Sequence, residues 1–314
     1  MRRIVVNGHG WSGSSAFIDF LDSIQRDDYS LIPGEFDDFR VPGTMRELIE
    51  QNRKPVSKRV KSNSYLAQLF LRSMVPNGLW PSGLRGKSID RDRAGWLFKS
   101  LRKEKRNFLK YQNLVGNDPR RQLSNWFDDV CEAYAATKPG CDAIFIEQFF
   151  LFDDCFSLYD WFDFDSLVLF IRNPINQIAS TLESSVLYSN YPWQAEFLIG
   201  SGKHSQNRKF ALFLNTTIER YHWVIEFLKN VEPEKVVIVD FDDFLFKNDR
   251  VVTNLSRKLS VDLTANSNVF DLDASVARNK TWASGVEPVD RLLEEANAAF
   301  AIFKSNLQNN YEVV

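Results

Sequence analysis

The chain has 314 residues, 44% of them hydrophobic and 14% aromatic, with 26 phenylalanines; that is enough apolar material for a sizeable core and excludes a disordered polypeptide. A net charge of −2 and a pI near 6.0 exclude a protein that coats nucleic acid through bulk positive charge, while leaving room for a local basic groove. The three cysteines (Cys131, Cys141, Cys155) lack metal-ligand spacing, the opening MRRIVVNGHG is too short in apolar residues for a signal peptide, and no long apolar run occurs, so a cytoplasmic protein is expected.

In chain order, RIVVNG at 3–8 predicts a buried parallel strand, because an uninterrupted apolar run suits a strand covered on both faces. It delivers the chain to a glycine- and serine-rich turn, and residues 14–26 carry Phe17, Ile18, Phe20, Leu21 and Ile24 at helical spacing. YSLIPG at 29–34 is a weaker strand. The segment from about 40 to 130 is basic and irregular (KPVSKRVKSNS, RSMVPNGLWPSGLRGKS, SLRKEKRNFLK) and reads as a largely helical insertion. Strands follow at 142–148 and 166–173, and Pro174 stands where a helix would begin, its missing N–H being harmless there. A second insertion covers about 187–209, a long amphipathic helix 207–230, a strand 235–241, a shorter helix 249–260 and a closing helix 287–306. Alternation of strands and helices with short loops predicts an α/β fold: a doubly wound, mainly parallel sheet with a P-loop-like turn, and residues 1–314 as a single domain carrying the two insertions.

The turn after the first strand raises the chemical question. Gly8 and Gly13 have the spacing of a phosphate-binding loop, G-x-x-x-x-G-K-[ST], with Ser15 in place, but Ser14 stands where the lysine belongs. Unpaired N–H groups and the dipole at a helix start hold anions without a lysine, glycine lets a phosphate approach the backbone, and Ser12, Ser14 and Ser15 add hydroxyls. The plainer alternative is a tight turn with Ser14 or Ser15 as helix cap. A second group comes from the strand ending Arg172-Asn173-Pro174, with Ser180 eight residues beyond the arginine. At the carboxyl edge of its strand, the Arg172 guanidinium suits a second phosphate, or else pairs with a surface aspartate.

Together, the Ser12-Gly13-Ser14-Ser15 run and the Arg172…Ser180 spacing resemble the sulfotransferases that use 3′-phosphoadenosine 5′-phosphosulfate (PAPS). In that family S-G-T-[ST] after the first strand holds the 5′-phosphosulfate and R-x₇-S holds the 3′-phosphate. The resemblance thus implies a PAPS site formed by Gly8, His9, Gly10, Trp11, Ser12, Gly13, Ser14, Ser15, Arg172 and Ser180, with no metal required. It extends to VVIVDFDDFLFKNDRVVTNLSRKL at 236–259, a late strand leading into an acidic turn and helix, and to ARNKTWASG at 277–285, where Arg278 and Lys280 match a basic segment that closes over the 3′-phosphate. One departure stands out: family members often carry a lysine or arginine just before S-G-T, and this chain has Trp11. Lys58, Arg59 and Lys61 of the first insertion are the candidate replacements.

Sulfuryl transfer needs a base within about 3 Å of the acceptor hydroxyl. Glu35, after the weak second strand, matches the position of the base in some carbohydrate sulfotransferases, with Asp37 or Asp38 next in line; the competing reading is a solvated acidic turn. Of the three histidines, His222 lies in a helical pattern and is expected to pack, His9 lies in the anion turn, and His204 beside Lys203 is the one placed to face substrate. Basic residues of the insertion, Lys58 and Lys61 foremost, suit a carbohydrate or glycolipid acceptor. The rival readings are a P-loop kinase or NTPase, with VVIVD at 236–240 as a magnesium-holding strand ending in Asp240, and a non-catalytic nucleotide-binding relative of the sulfotransferases.

Overall fold

The computed structural model describes residues 1–8, 12–24, 26–32, 162–177, 206–264 and 287–314, together with 138–147 and parts of 124–136. Six strands form one parallel sheet: β1 (Arg2–Gly8), β2 (Tyr29–Ile32), β3 (Ala143–Glu147), β4 (Ser166–Ile171), β5 (Val236–Asp240) and β6 (Glu312–Val313), in the order β2-β3-β1-β4-β5-β6. Five helices are described: α1 (Ser14–Ile24), α2 (Gln206–Leu228), α3 (Phe241–Phe246), α4 (Asn248–Leu259) and α5 (Glu287–Asn310). The expected α/β class and all five expected strands are therefore present, and β6 is an addition that the sequence reading lacked. The two insertions lie outside the described residues, apart from the fragments at their margins.

The central residues of β1, β3, β4 and β5 are apolar without a break because both faces are covered. Every residue of β3 and β5 is buried, and so is β4 after Ser166. In the β4–β5 register Phe170 lies beside Val239 and Ile171 beside Asp240, so these two pairs point to opposite faces. Phe170 meets Phe17 of α1 at 5.3 Å and Phe244 of α3 at 6.0 Å between ring centres. Asp240, on the other face, pairs with Lys304 of α5, and α5 packs against α2 through Tyr221 and Phe303, stacked at 4.4 Å. Helices thus lie on both faces, as a doubly wound sheet requires.

The described residues fall into two compact units, and β1 contributes to each. The first comprises Met1–Ile4, Arg26–Phe149 and Ser157–Asp165. In it β2 and β3 pair from Tyr29↔Ala143 to Ile32↔Ile146, and Arg3 is fixed by an ion pair with Asp128 at 2.6 Å and by its N–H donating to Asp165 at 2.7 Å. Cys131 is fully buried there, and burial pushes its thiol up to about 12, the mark of a packing residue and not of a nucleophile.

The second unit comprises Val5–Gln25, Phe150–Phe156 and Ser166–Val314. Its densest part is an aromatic cluster. Phe17 and Phe20 of α1 both meet the edge of Phe244, at 5.8 and 5.7 Å and 82°. Spacing of Phe17, Ile18, Phe20 and Leu21 along one side of α1 makes this possible, and each such burial is worth about 2–3 kcal/mol. The sheet topology reverses at β1. From it the chain runs out to β2 at the far edge, returns to β3, then crosses to β4 on the other side. In open parallel sheets, ligands sit beyond the carboxyl ends of the strands at such a reversal.

Candidate functional site

The carboxyl end of β1 is Gly8, and the described turn resumes at Ser12. A methyl group on Gly8 would stand 2.0 Å from the Ser12 hydroxyl and 3.1 Å from the Phe170 carbonyl, so the turn folds directly onto the end of β1 and leans on β4. Gly13 has φ +108°, a conformation L side chains avoid, and its carbonyl accepts the Phe17 N–H at 3.1 Å, the first bond of α1. Gly13 is therefore the residue that caps α1. This corrects the alternative in which Ser14 or Ser15 caps the helix: both lie inside its first turn. That turn contains no acidic residue, so the dipole of an 11-residue helix is not offset by a carboxylate of its own. Ser12 is buried, and its hydroxyl has no hydrogen-bond partner among the described residues. The same holds for both polar atoms of the Asn7 amide at the end of β1. A buried hydroxyl and a buried amide left unsatisfied beside a helix start fit a site whose missing partner is a bound polar group.

Arg172 follows β4 directly and is buried. Its guanidinium lies over the Phe241 ring, 4.8 Å from the centroid. Burial lowers its pKa from the ordinary arginine range to about 10, while the Asp242 carboxylate acts in the opposite sense. The group therefore remains a cation throughout the neutral range. The same Phe241 ring lies against Gly13, where a methyl group would stand 2.0 Å from its Cδ2. The two expected anion-holding pieces, separated by more than 150 residues in sequence, thus meet at one side chain.

The residue after Arg172 starts a helical turn. Asn173 accepts the Ile175 N–H through its side-chain oxygen at 2.9 Å, with Pro174 at the first helical position as expected. Its amide donates to Asn297 of α5 at 3.2 Å. One turn on, the Asn176 amide donates to both oxygens of Asp242, at 3.3 and 3.2 Å. Each oxygen of the buried Asp240 carboxylate has a partner: one accepts the Asp242 N–H at 3.0 Å and caps α3, and the other pairs with Lys304. Asp240 therefore has a structural role at the start of α3.

Gly8, Ser12, Gly13, Ser14, Ser15 and Arg172 are thus placed in one unit. His9, Gly10, Trp11, Glu35, Lys58, Lys61, Ser180, His204, Arg278 and Lys280 lie outside the described residues. His222, expected to pack, is on α2 but exposed. Asn7, Asn173, Asn176, Phe241 and Asp242 were not singled out from the sequence. Asn173 before Pro174 carries a readable helix-cap signal; Phe241 carries none, since its role depends on two distant contacts.

No protein-family model and no curated protein matches the sequence. Two solved structures are similar to it in chain path. One is the sulfotransferase domain from the Synechococcus PCC 7002 olefin synthase, at 12% identity and a TM-score of 0.47, covering 94% of this chain and 93% of that one. The other is sulfotransferase STF9 from Mycobacterium avium, at 14% identity and a TM-score of 0.45, covering 99% of this chain and 78% of that one. Among the described residues no helix is long and apolar enough to cross a membrane.

Proposed function

We propose that this protein is a PAPS-dependent sulfotransferase acting on a hydroxyl or amine acceptor, with a carbohydrate or glycolipid as the acceptor class. The observation that carries the reading is the meeting of Gly13 and Arg172 on Phe241. It brings a helix start free of acidic residues and a buried arginine to adjacent strand ends, a pair suited to a nucleotide that is anionic at both ends. The start of α1 and the Ser12 hydroxyl would hold the 5′ group, and Arg172 with Ser180 the 3′-phosphate. Arg278 and Lys280 would close over the latter.

When bound, PAPS supplies the sulfuryl group: a bond forms from the acceptor oxygen or nitrogen to sulfur, the bond from sulfur to the 5′-phosphate oxygen breaks, and 3′,5′-adenosine bisphosphate and a proton are released. Glu35, or failing it Asp37 or Asp38, would take that proton, with His204 a separate candidate facing the substrate. Backbone N–H groups at the start of α1 would stabilise negative charge on the departing phosphate oxygen, since the first N–H groups of a helix have no partner within it and carry the positive end of its dipole. Lys58 or Lys61 would add the cation that Trp11 does not supply.

The test separates this reading from its rivals. In metal-free buffer, 3′,5′-adenosine bisphosphate at a hundredfold excess over its Kd should raise the melting temperature by about 5 °C. Sulfur-labelled PAPS should pass label to a hydroxyl acceptor, and Glu35→Gln should slow that transfer while nucleotide affinity is retained. Stabilisation by ATP that depends on magnesium, with none by the bisphosphate, would instead favour the kinase reading, and binding without transfer to any acceptor the non-catalytic one.

A further inference from the structure

Phe241 is 5% exposed and lies against both Gly13 and Arg172. Its ring fills the space where Gly13 would otherwise carry a side chain, with Cδ2, Cε2 and Cγ at 2.0, 2.5 and 2.5 Å from the position of a methyl group. The Arg172 guanidinium rests over the same ring, 4.8 Å from its centroid, within the range of a cation held by an aromatic face. An aromatic side chain has only two torsions and a rigid ring, so two groups that both rest on it keep a fixed relation, and the ring acts as a rigid spacer.

The spacer is itself held. Asp240, before it, caps α3 and is tied to Lys304. Asp242, after it, accepts two contacts from the Asn176 amide. The segment 172–176 is therefore fastened to the start of α3 at two points one helical turn apart, Arg172 on Phe241 and Asn176 on Asp242.

We propose that Phe241 is a positioning residue whose ring sets the separation between the α1 turn and Arg172, and that the Asn176–Asp242 pair keeps Arg172 in register with it. The inference rests on the proposed nucleotide site and deepens it. A fixed separation selects ligands with anionic groups at both ends over those with one, because only the former gain from both subsites without moving either. A flexible side chain at 241 would leave each subsite intact but let them drift.

Calorimetric titration of the wild type, Phe241→Leu, Phe241→Tyr and Asn176→Ala with 3′,5′-adenosine bisphosphate and with adenosine 5′-phosphate tests this, each variant's melting temperature being recorded alongside. The wild type should prefer the bisphosphate. Phe241→Leu should narrow that preference about tenfold with the 5′-phosphate affinity nearly unchanged, and Phe241→Tyr should retain it. Asn176→Ala, which leaves the aromatic cluster alone, should narrow it by about threefold and decides the matter if Phe241→Leu does not fold. A preference unchanged in the folded variants, or both ligands weakened equally, overturns the positioning role and leaves the nucleotide reading standing. A wild type without any preference overturns the nucleotide reading and this inference with it.

Discussion

Two strand-to-helix junctions of the same unit, β1–α1 and β5–α3, have been given opposite electrostatic treatment. At β5–α3 the helix start is satisfied from within: the Asp240 carboxylate caps it, and Asp242 and Asp243 sit in its first turn. At β1–α1 the cap is a glycine at φ +108°, the first turn has no acid, and a buried serine hydroxyl waits without a partner among the described residues. Sequence composition alone makes the difference, D-F-D-D against S-G-S-S. A helix start that supplies its own carboxylates has no use for an external anion, whereas one that supplies hydroxyls and bare N–H groups does. The contrast gives the proposed phosphate site a basis that needs no lysine, and it gives Asp240 a part in capping α3.

The largest effect should come from Gly13→Ala. It puts an L side chain at positive φ and drives it into the Phe241 ring, and the combined cost is on the order of 4 kcal/mol of stability by chemical denaturation. A cost below about 1 kcal/mol would mean that the turn is not built as described.

Ser15→Asp makes the first turn of α1 resemble that of α3. A carboxylate there should raise stability slightly, by about 0.5 kcal/mol, while weakening 3′,5′-adenosine bisphosphate roughly tenfold, since the site is then offered a charge of its own. Stability and affinity moving in the same direction would break the contrast between the two junctions.

The smallest effect is in pH dependence. Arg172 must be charged to hold a phosphate, and burial brings its pKa to about 10. Bisphosphate affinity contributed by this group should be constant through neutral pH and fall as pH rises through about 10. Because the Asp242 carboxylate favours the charged guanidinium, Asp242→Asn should move that fall to lower pH. For stability the sign is the reverse: the unfolded chain keeps this proton to higher pH than the folded one, so the penalty for burying the Arg172 charge shrinks as pH climbs above about 10.

Much of the fold was legible because buried parallel strands are written as continuous apolar runs. RIVVNG, DAIFIEQ, SLVLFIRN and KVVIVDF each differ from their strands by one or two residues in all. The two-residue β6 was not legible, since Glu312–Val313 has no run of its own and pairs only because α5 returns the chain beside Val237 and Ile238. The acidic segment after β5 was read as a turn and one helix but divides into α3 and α4 at Lys247. In the site, Gly8, Gly13 and Arg172 could be picked from spacing, whereas Phe241 and Asn176 could not. Their roles come from contacts with residues tens to hundreds of positions away, and a phenylalanine after a buried strand reads as core. Phe241 is indeed core, and its contacts with both Gly13 and Arg172 carry the positioning role proposed for it.

The central claim is that the start of α1 and Arg172 hold opposite ends of one doubly anionic nucleotide. Titrating Arg172→Ala with 3′,5′-adenosine bisphosphate and with adenosine 5′-phosphate tests it most directly. The account predicts that the bisphosphate loses roughly a hundredfold in affinity, about 3 kcal/mol for a charge-assisted contact, while the 5′-phosphate binds as before. Equal losses for the two ligands, or no loss for either, would contradict it.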